Sequence, residues 1–310
     1  MTESRLSTTE QIASIWALGG LGWRELGQRV LREIRDNDLL NRGYELAYNF
    51  LLAVFPMLLF LIALFGIFAS AGATLRTNLF LYMQRMLPPA AYELISKTVT
   101  EVIRTSGGGK LTFGLALALY SGSSGMTQLM SNLNNAYEVR ERRSWIKVHL
   151  ISLGLTLVIS ALVIGALLLI LAGGHVVTHF GHMLGLSAVL LWGWRLLQWT
   201  LSVAFIISAF ALIYYFGPDV LERHWYWITP GSVFGVGIWL GASALLRVYL
   251  HFFDSYSKTY GSLGAVIVLL LWFYVTGLAF LFGGSVNSVI EHAAAEKGHP
   301  EAKAEGEKAA

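Results

Sequence analysis

Cysteine is absent from all 310 residues. Disulfides, thiolate metal sites and cysteine nucleophiles are thereby excluded, and compartment is left open. Charge is scarce as well. Asp, Glu, Lys and Arg make up 13% of the chain, against ~25% in an ordinary soluble domain. Too little polar surface exists to cover a 34.2 kDa globule in water. No G-x-y period occurs, and 55% hydrophobic content is too high for intrinsic disorder. Enzyme signatures are missing: no P-loop, no H-E-x-x-H and no G-x-S-x-G. Ser121-Gly122-Ser123-Ser124-Gly125 has the wrong spacing for a nucleophile elbow. The expectation is therefore no catalytic residue, no cofactor and no metal. A net charge of +3 is too small to argue for nucleic acid.

What is present is apolar length. Mean hydropathy is +0.59. Six stretches approach the ~20 residues that cross a hydrocarbon core. They lie at about 46–70, 111–131, 149–172, 193–216, 228–250 and 262–286. The expected fold class is an all-α polytopic membrane protein with six transmembrane helices and external amphipathic cap helices. The opening residues, without a clean apolar core or a small-residue cleavage site, are not expected to be a signal peptide. Residues 1–45 form an amphipathic segment, with Ile12, Trp16, Trp23, Leu26, Val30 and Ile34 on one face and Arg24, Arg32 and Arg35 on the other. Such a helix lies on the bilayer surface or packs under the bundle. Residues 46–290 form the membrane domain, and two helical runs about Pro88-Pro89 cap it within 71–110. Residues 291–310, rich in Ala, Glu and Lys, read as a disordered tail.

Lys and Arg set the orientation. Fourteen fall on the side of the two termini, six on the other side, and Arg195 and Arg247 in or near spans. This bias favours both termini in the cytoplasm.

The second span carries the most informative pattern. Tyr120, Ser121, Ser124, Gln128, Ser131, Asn132 and Asn135 share one side, and Gly114, Ala118, Gly122 and Gly125 form an adjoining strip. Small residues allow helices to pack closely, and Ser or Asn can bond across such a contact. The same face can instead line a hydrated cavity. Both readings stand on the sequence. Arg195, flanked by Trp192, Trp194 and Trp199, either snorkels to headgroups or, with Arg247, offers a fork to a phosphate or carboxylate. Pro56 interrupts the first span, where neighbours can satisfy the freed carbonyl. Glu45, one turn before Asn49, is an interfacial carboxylate or a proton acceptor at a cytoplasmic gate. His175, His179 and His182 fall in the loop expected after the third span. A zinc ion there would need a further ligand, and no carboxylate is near, so a plain His-rich loop is expected.

The ordered motifs resemble the YihY/BrkB family of bacterial inner-membrane proteins. The resemblance rests on Ala47-Tyr48-Asn49 through Phe55-Pro56, on Asn132, Asn135-Ala136-Tyr137 and Glu141-Arg142-Arg143, and on Thr229-Pro230-Gly231. It closes on Tyr256, Tyr260-Gly261-Ser262-Leu263-Gly264-Ala265-Val266-Ile267, Trp272-Phe273-Tyr274, Gly283-Gly284 and Asn287. It covers about residues 40–290 and implies six transmembrane helices and an inner-membrane location. Family members have carried names such as ribonuclease BN and virulence factor BrkB. No carboxylate or histidine constellation in this sequence supports the nuclease label.

In physical terms Gly261 and Gly264 permit a tight turn and close contact where the chain re-enters the membrane. Asn135, Tyr137, Glu141, Arg142 and Arg143 can build a charged network under the bundle or touch anionic headgroups. The expected function is transport or translocation of an anionic, amphipathic, envelope-related substrate. Its path would be lined by Asn49, Tyr120, Ser124, Gln128, Asn132 and Asn287, with Arg195 and Arg247 attracting the charged head. The alternative is a non-transporting scaffold. Expected partners are membrane lipids, a second copy of the chain or envelope proteins, and no nucleic acid.

Overall fold

The computed structural model describes residues 16–69, 109–184, 188–220, 229–252 and 262–296. All regular structure among them is helical. A 3-10 turn at Leu18–Gly20 precedes seven α-helices: α1 Trp23–Asp36, α2 Leu39–Ala69, α3 Gly109–Ala136, α4 Trp145–Leu184, α5 Ala188–Phe216, α6 Pro230–Phe252 and α7 Ser262–Glu296. Among the described residues, four segments are long and apolar enough to cross a membrane. They are Trp145–Ala166, Trp192–Phe216, Pro230–Tyr249 and Val266–Ala294. The first two expected spans fall on α2 and α3, single helices of 31 and 28 residues. The expected cap falls almost wholly outside the described residues.

The chain divides into two compact units, one of residues 1–48 and 127–310, the other of residues 49–126. In the second unit, α2 and α3 approach closely through the small-residue strip. A Cβ on Gly122 would stand 3.3 Å from the Met57 backbone, and one on Gly125 would stand 3.1 Å from Ala53 Cβ. The helix of α2 continues through Pro56.

In the larger unit α7 is the central strut, packing against α6 and α1, while α4 packs on α5 and α5 on α6. Val286, Val289, Ile290 and Ala293 of α7 share a buried cluster with Leu18, Leu21, Leu26 and Val30. The amphipathic N-terminal segment is thus packed under the bundle. It is broken by the turn at Leu18–Gly20, where Gly19 has φ 62° and sits against the Ile290 carbonyl with no room for a Cβ.

Two boundaries differ from the sequence reading. The helix of α4 runs on to Leu184, so residues expected in an external loop, including His175, His179 and His182, are helical. No proline interrupts it, and the strong formers Leu167–Ala172 lead into Gly173-Gly174, each of which costs a helix only ~1 kcal/mol. Its 40 residues extend ~60 Å, about twice a hydrocarbon core. At the other end, α7 reaches Glu296, into the segment read as a disordered tail. Ala293 and Ala294 are buried there beside Gly19, and tertiary packing overrides the polar composition.

Candidate functional site

Polar side chains concentrate at one end of the larger unit, where α3, α5 and α7 finish and α4 and α6 begin. Two hydrogen-bonded groups occupy it.

The first follows α3. The guanidinium of Arg143 is buried, and its Nε and Nη2 donate to the two carboxylate oxygens of Glu141 at 2.7 and 2.6 Å. Its Nη1 and Nη2 also donate to the carbonyls of Phe216 and Gly217, at 3.1 and 2.8 Å. Those carbonyls are orphan acceptors at the end of α5, where a cation also suits the helix dipole. Asn134 donates to Glu141 at 2.9 Å and accepts from the backbone N–H of Asp219 at 2.8 Å. Asp219 accepts from the backbone N–H of Arg142 at 2.9 Å and stands 3.7 Å from Arg143 Nε. The result is a latch between the α3–α4 connection and the end of α5. Burial pushes the Glu141 carboxyl up, but the hydrogen bonds and charge of Arg143 with the Asn134 bond outweigh it, leaving its pKa below the ordinary value.

The second group centres on Asn287 of α7. Its Oδ1 accepts from the Gly231 backbone N–H at 2.9 Å. Its Nδ2 donates to the Tyr137 hydroxyl and to Thr229 Oγ1, both at 3.1 Å. Thr229 and Ser232 cap α6 reciprocally. Ser232 N–H donates to Thr229 Oγ1 and Thr229 N–H donates to Ser232 Oγ, each at 3.1 Å. Pro230 occupies the first helical position, where its missing N–H costs nothing. Beside them Gly231 and Gly283 meet backbone to backbone, and a Cβ on either would overlap the other's carbonyl. The hydroxyl of Tyr214 closes the crossing and donates to the Phe280 carbonyl at 2.9 Å. Burial, and then the charge of Glu291, hold the Tyr137 hydroxyl well above its usual pKa, against the Asn287 bond.

The sequence-selected residues therefore separate. Asn287 and Tyr137, read in different roles, belong to one group. Glu141, Arg142 and Arg143 do form a network, together with Asn134. Asn135 donates to the Ser131 carbonyl on its own helix. Asn132 is fully buried, donates to the Gln128 carbonyl at 3.0 Å and accepts from Arg42 at 3.4 Å. Glu45 is exposed and Asn49 half-buried. Arg195 and Arg247 are both exposed, and Arg195 lies 5.7 Å over the Trp192 ring. Gly264 falls in the first turn of α7, and Tyr260 and Gly261 lie outside the described residues. Along α3 the small residues Gly122, Ser123 and Gly125 are buried, whereas Tyr120, Ser124 and Ser131 are exposed and Gln128 half-buried. The helix thus carries an uncovered polar stripe beside its packed one.

Sequence reasoning missed Asn134, Asp219 and Arg42, and gave Thr229 no role. Thr-Pro-Gly-Ser at the start of an apolar run was an available capping signal. Asp219, just after Gly217-Pro218, carried no periodicity to mark it.

These features define a polytopic helical membrane protein with several apolar helices and internally bonded polar joints. The model of the family described as "Virulence factor BrkB" matches residues 30–307, and the chain belongs to that family. Similar proteins include the ribonuclease-like protein YfkH of Bacillus subtilis (strain 168), 33% identical over 84% of this chain and 94% of that protein. UPF0761 membrane protein VV0203 of Vibrio vulnificus (strain YJ016) is 26% identical over 84% of this chain and 80% of its own. A UPF0761 membrane protein of Pseudomonas aeruginosa (strain LESB58) is 26% identical over 78% of this chain and 57% of its own. No solved structure matches. The ribonuclease-like name belongs to YfkH, and among the described residues no three His, Asp or Glu side chains could hold a metal together.

Proposed function

We propose that this chain is a bacterial inner-membrane transporter or lipid translocator for an anionic, amphipathic, envelope-related substrate. In this reading α2 and α3 are the remaining two of six spans, and both termini are cytoplasmic. The observation that carries it is the uncovered stripe of Tyr120, Ser124, Gln128 and Ser131 along α3. Hydroxyls that served only to bond helices together would be covered, as Ser123 is. Exposed polar groups on a spanning helix instead favour a water- or headgroup-bearing path.

Arg195 and Arg247 support the charge of the substrate. Tyr214, Gly231 and Gly283 pack together at one end, and Arg195 lies 19 residues of helix before Tyr214, about 28 Å away. Arg247 lies 16 residues beyond Gly231, about 24 Å away in the matching direction. Both guanidiniums thus belong to the opposite end, where each presents five donors to a phosphate.

The test uses proteoliposomes carrying a fluorescent phosphatidylglycerol or phosphatidylcholine, with transbilayer movement read by dithionite quenching. Movement of the anionic lipid is expected, lost in Ser124→Leu and in the Arg195→Gln/Arg247→Gln pair. Movement unchanged in all variants removes the path and the anion site. No movement of either lipid, with Ser124→Leu dissociating an oligomer, replaces this reading with the scaffold, in which a second copy or an envelope protein covers the stripe.

A further inference from the structure

The outward face of α1 has a chemistry that neither polar group uses. Projected at about 100° per residue, its positions form four bands. Leu26, Val30 and Ile34 point into the cluster on α7. Trp23, at the edge of that band, sets its ring 6.0 Å from Phe234 but stays 68% exposed, and Gly27 and Leu31 come next, Leu31 63% exposed. Arg24, Gln28, Arg32 and Arg35 follow, all exposed. Glu25 and Asp36, then the half-buried Arg29 and Glu33, close the circle. Glu25 is engaged, because Arg29 pairs with it at 3.0 Å and with Glu296 at 2.9 Å. Among the described residues, Arg24, Arg32 and Arg35 have no carboxylate partner within ion-pair distance.

A cytosolic helix does not need two large apolar side chains beside three uncompensated arginines. An interfacial helix does: the apolar band dips among acyl chains, the guanidiniums lie at headgroup depth, and the acidic band faces water. The location agrees. At this same end of the unit Trp145 is 66% exposed at the start of a spanning segment, next to Lys147. Interfacial tryptophans and basic residues mark the headgroup level of a bilayer.

We infer that the Trp23–Leu31 and Arg24–Arg32–Arg35 bands of α1 are a docking surface for the anionic lipid headgroups of the adjoining leaflet. Charge complementarity selects that occupant, since three exposed arginines that make no ion pair among the described residues attract phosphatidylglycerol-type headgroups over zwitterionic ones. Each arginine near the surface contributes about a fivefold preference. The inference does not depend on transport.

The absence of cysteine makes the test direct, because one introduced thiol is unique. The full-length Leu31→Cys and Asp36→Cys proteins, each carrying a nitroxide, are placed in nanodiscs of phosphatidylcholine with and without phosphatidylglycerol. Accessibility to oxygen and to a water-soluble nickel chelate is then measured. The label at 31 is expected among acyl chains and deeper when phosphatidylglycerol is present. The label at 36 is expected in water. The Arg24→Gln/Arg32→Gln/Arg35→Gln variant should lose the phosphatidylglycerol effect, including at least a fivefold fall in preferential quenching by headgroup-labelled phosphatidylglycerol over phosphatidylcholine. A label at 31 in water in both membranes overturns the inference and leaves α1 facing the cytosol, as a protein contact would require. A preference unchanged in the triple variant overturns it as well.

Discussion

Asn287→Ala separates two roles for the same side chain. If Asn287 is the joint between α7, α6 and the end of α3, its removal strands the Gly231 N–H and the Tyr137 hydroxyl, both buried. A buried polar group left without its partner costs ~1–3 kcal/mol, so the two together cost ~2–6 kcal/mol. Thr229 keeps Ser232 as a partner and adds little. Tyr137→Phe removes the hydroxyl along with its bond, and Asn287 keeps Thr229, so this change costs only ~0.5–1.5 kcal/mol. In the double variant the tyrosine hydroxyl can no longer be stranded. Its cost should therefore fall below the sum of the single changes by ~1 kcal/mol or more. Urea unfolding in mixed micelles, followed by tryptophan fluorescence, measures all four corners of the cycle. Additive costs, or an Asn287→Ala cost under ~1 kcal/mol, refute the joint. A stable Asn287→Ala protein that has lost lipid movement would return Asn287 to the substrate path.

The remaining predictions use the same end of the molecule. Gly231→Ala drives a methyl into the Gly283 carbonyl and the Asn287 side chain. Backbone cannot yield as a side chain does, so a cost of ~3 kcal/mol or more, or failure to accumulate in the membrane, is expected in expression and thermal-unfolding assays. Glu141 has a folded pKa below its ordinary 4.5. Its contribution is complete above that value and is lost as pH falls through the lower folded pKa. Stability in micelles should decline below about pH 4.5, and Glu141→Gln should be less stable near neutrality with a flatter acid limb. Arg29→Gln breaks only partly exposed pairs with Glu25 and Glu296. A loss within ~1 kcal/mol, shrinking with added salt, is expected in the same unfolding assay.

Helix positions were legible where a rule of the solvent fixed them. Residues that must satisfy their own backbone in hydrocarbon can only be helical or in a closed barrel, so long apolar runs marked α4 to α7 directly. The small strip of α3 was legible because a period of 3.6 brings Gly122 and Gly125 to one face, and that face does meet Ala53 and Met57. Helix ends were less legible. Nothing in composition says that Ala293 is buried, since its partner is a turn 274 residues earlier whose Gly19 leaves the space. The polar joints were least legible. Arg143 and Asp219, or Tyr137 and Asn287, meet only after the intervening helices have folded back, and polar residues at span ends carry no period that names their partners.

That difference bears on which polar residues remain available for chemistry. In an apolar solvent each buried donor and acceptor must be satisfied within the protein, so membrane helices use Asn, Tyr and Arg first as joints. Asn132, Asn287, Tyr137 and Arg143 are of this kind, each buried and bonded to a neighbouring element or to its own helix. A polar residue left uncovered on an apolar helix has no such explanation, and it persists only where water, a headgroup or another protein meets it. By this criterion Ser124 on α3, Arg195 and Arg247 near the far end, and the arginine band of α1 are the positions where substitution should change function before stability. Ser124→Leu is the sharpest instance. It should leave unfolding unchanged within ~0.5 kcal/mol, as for surface positions generally, while stopping lipid movement. Loss of both together would place Ser124 among the joints and withdraw the path along α3.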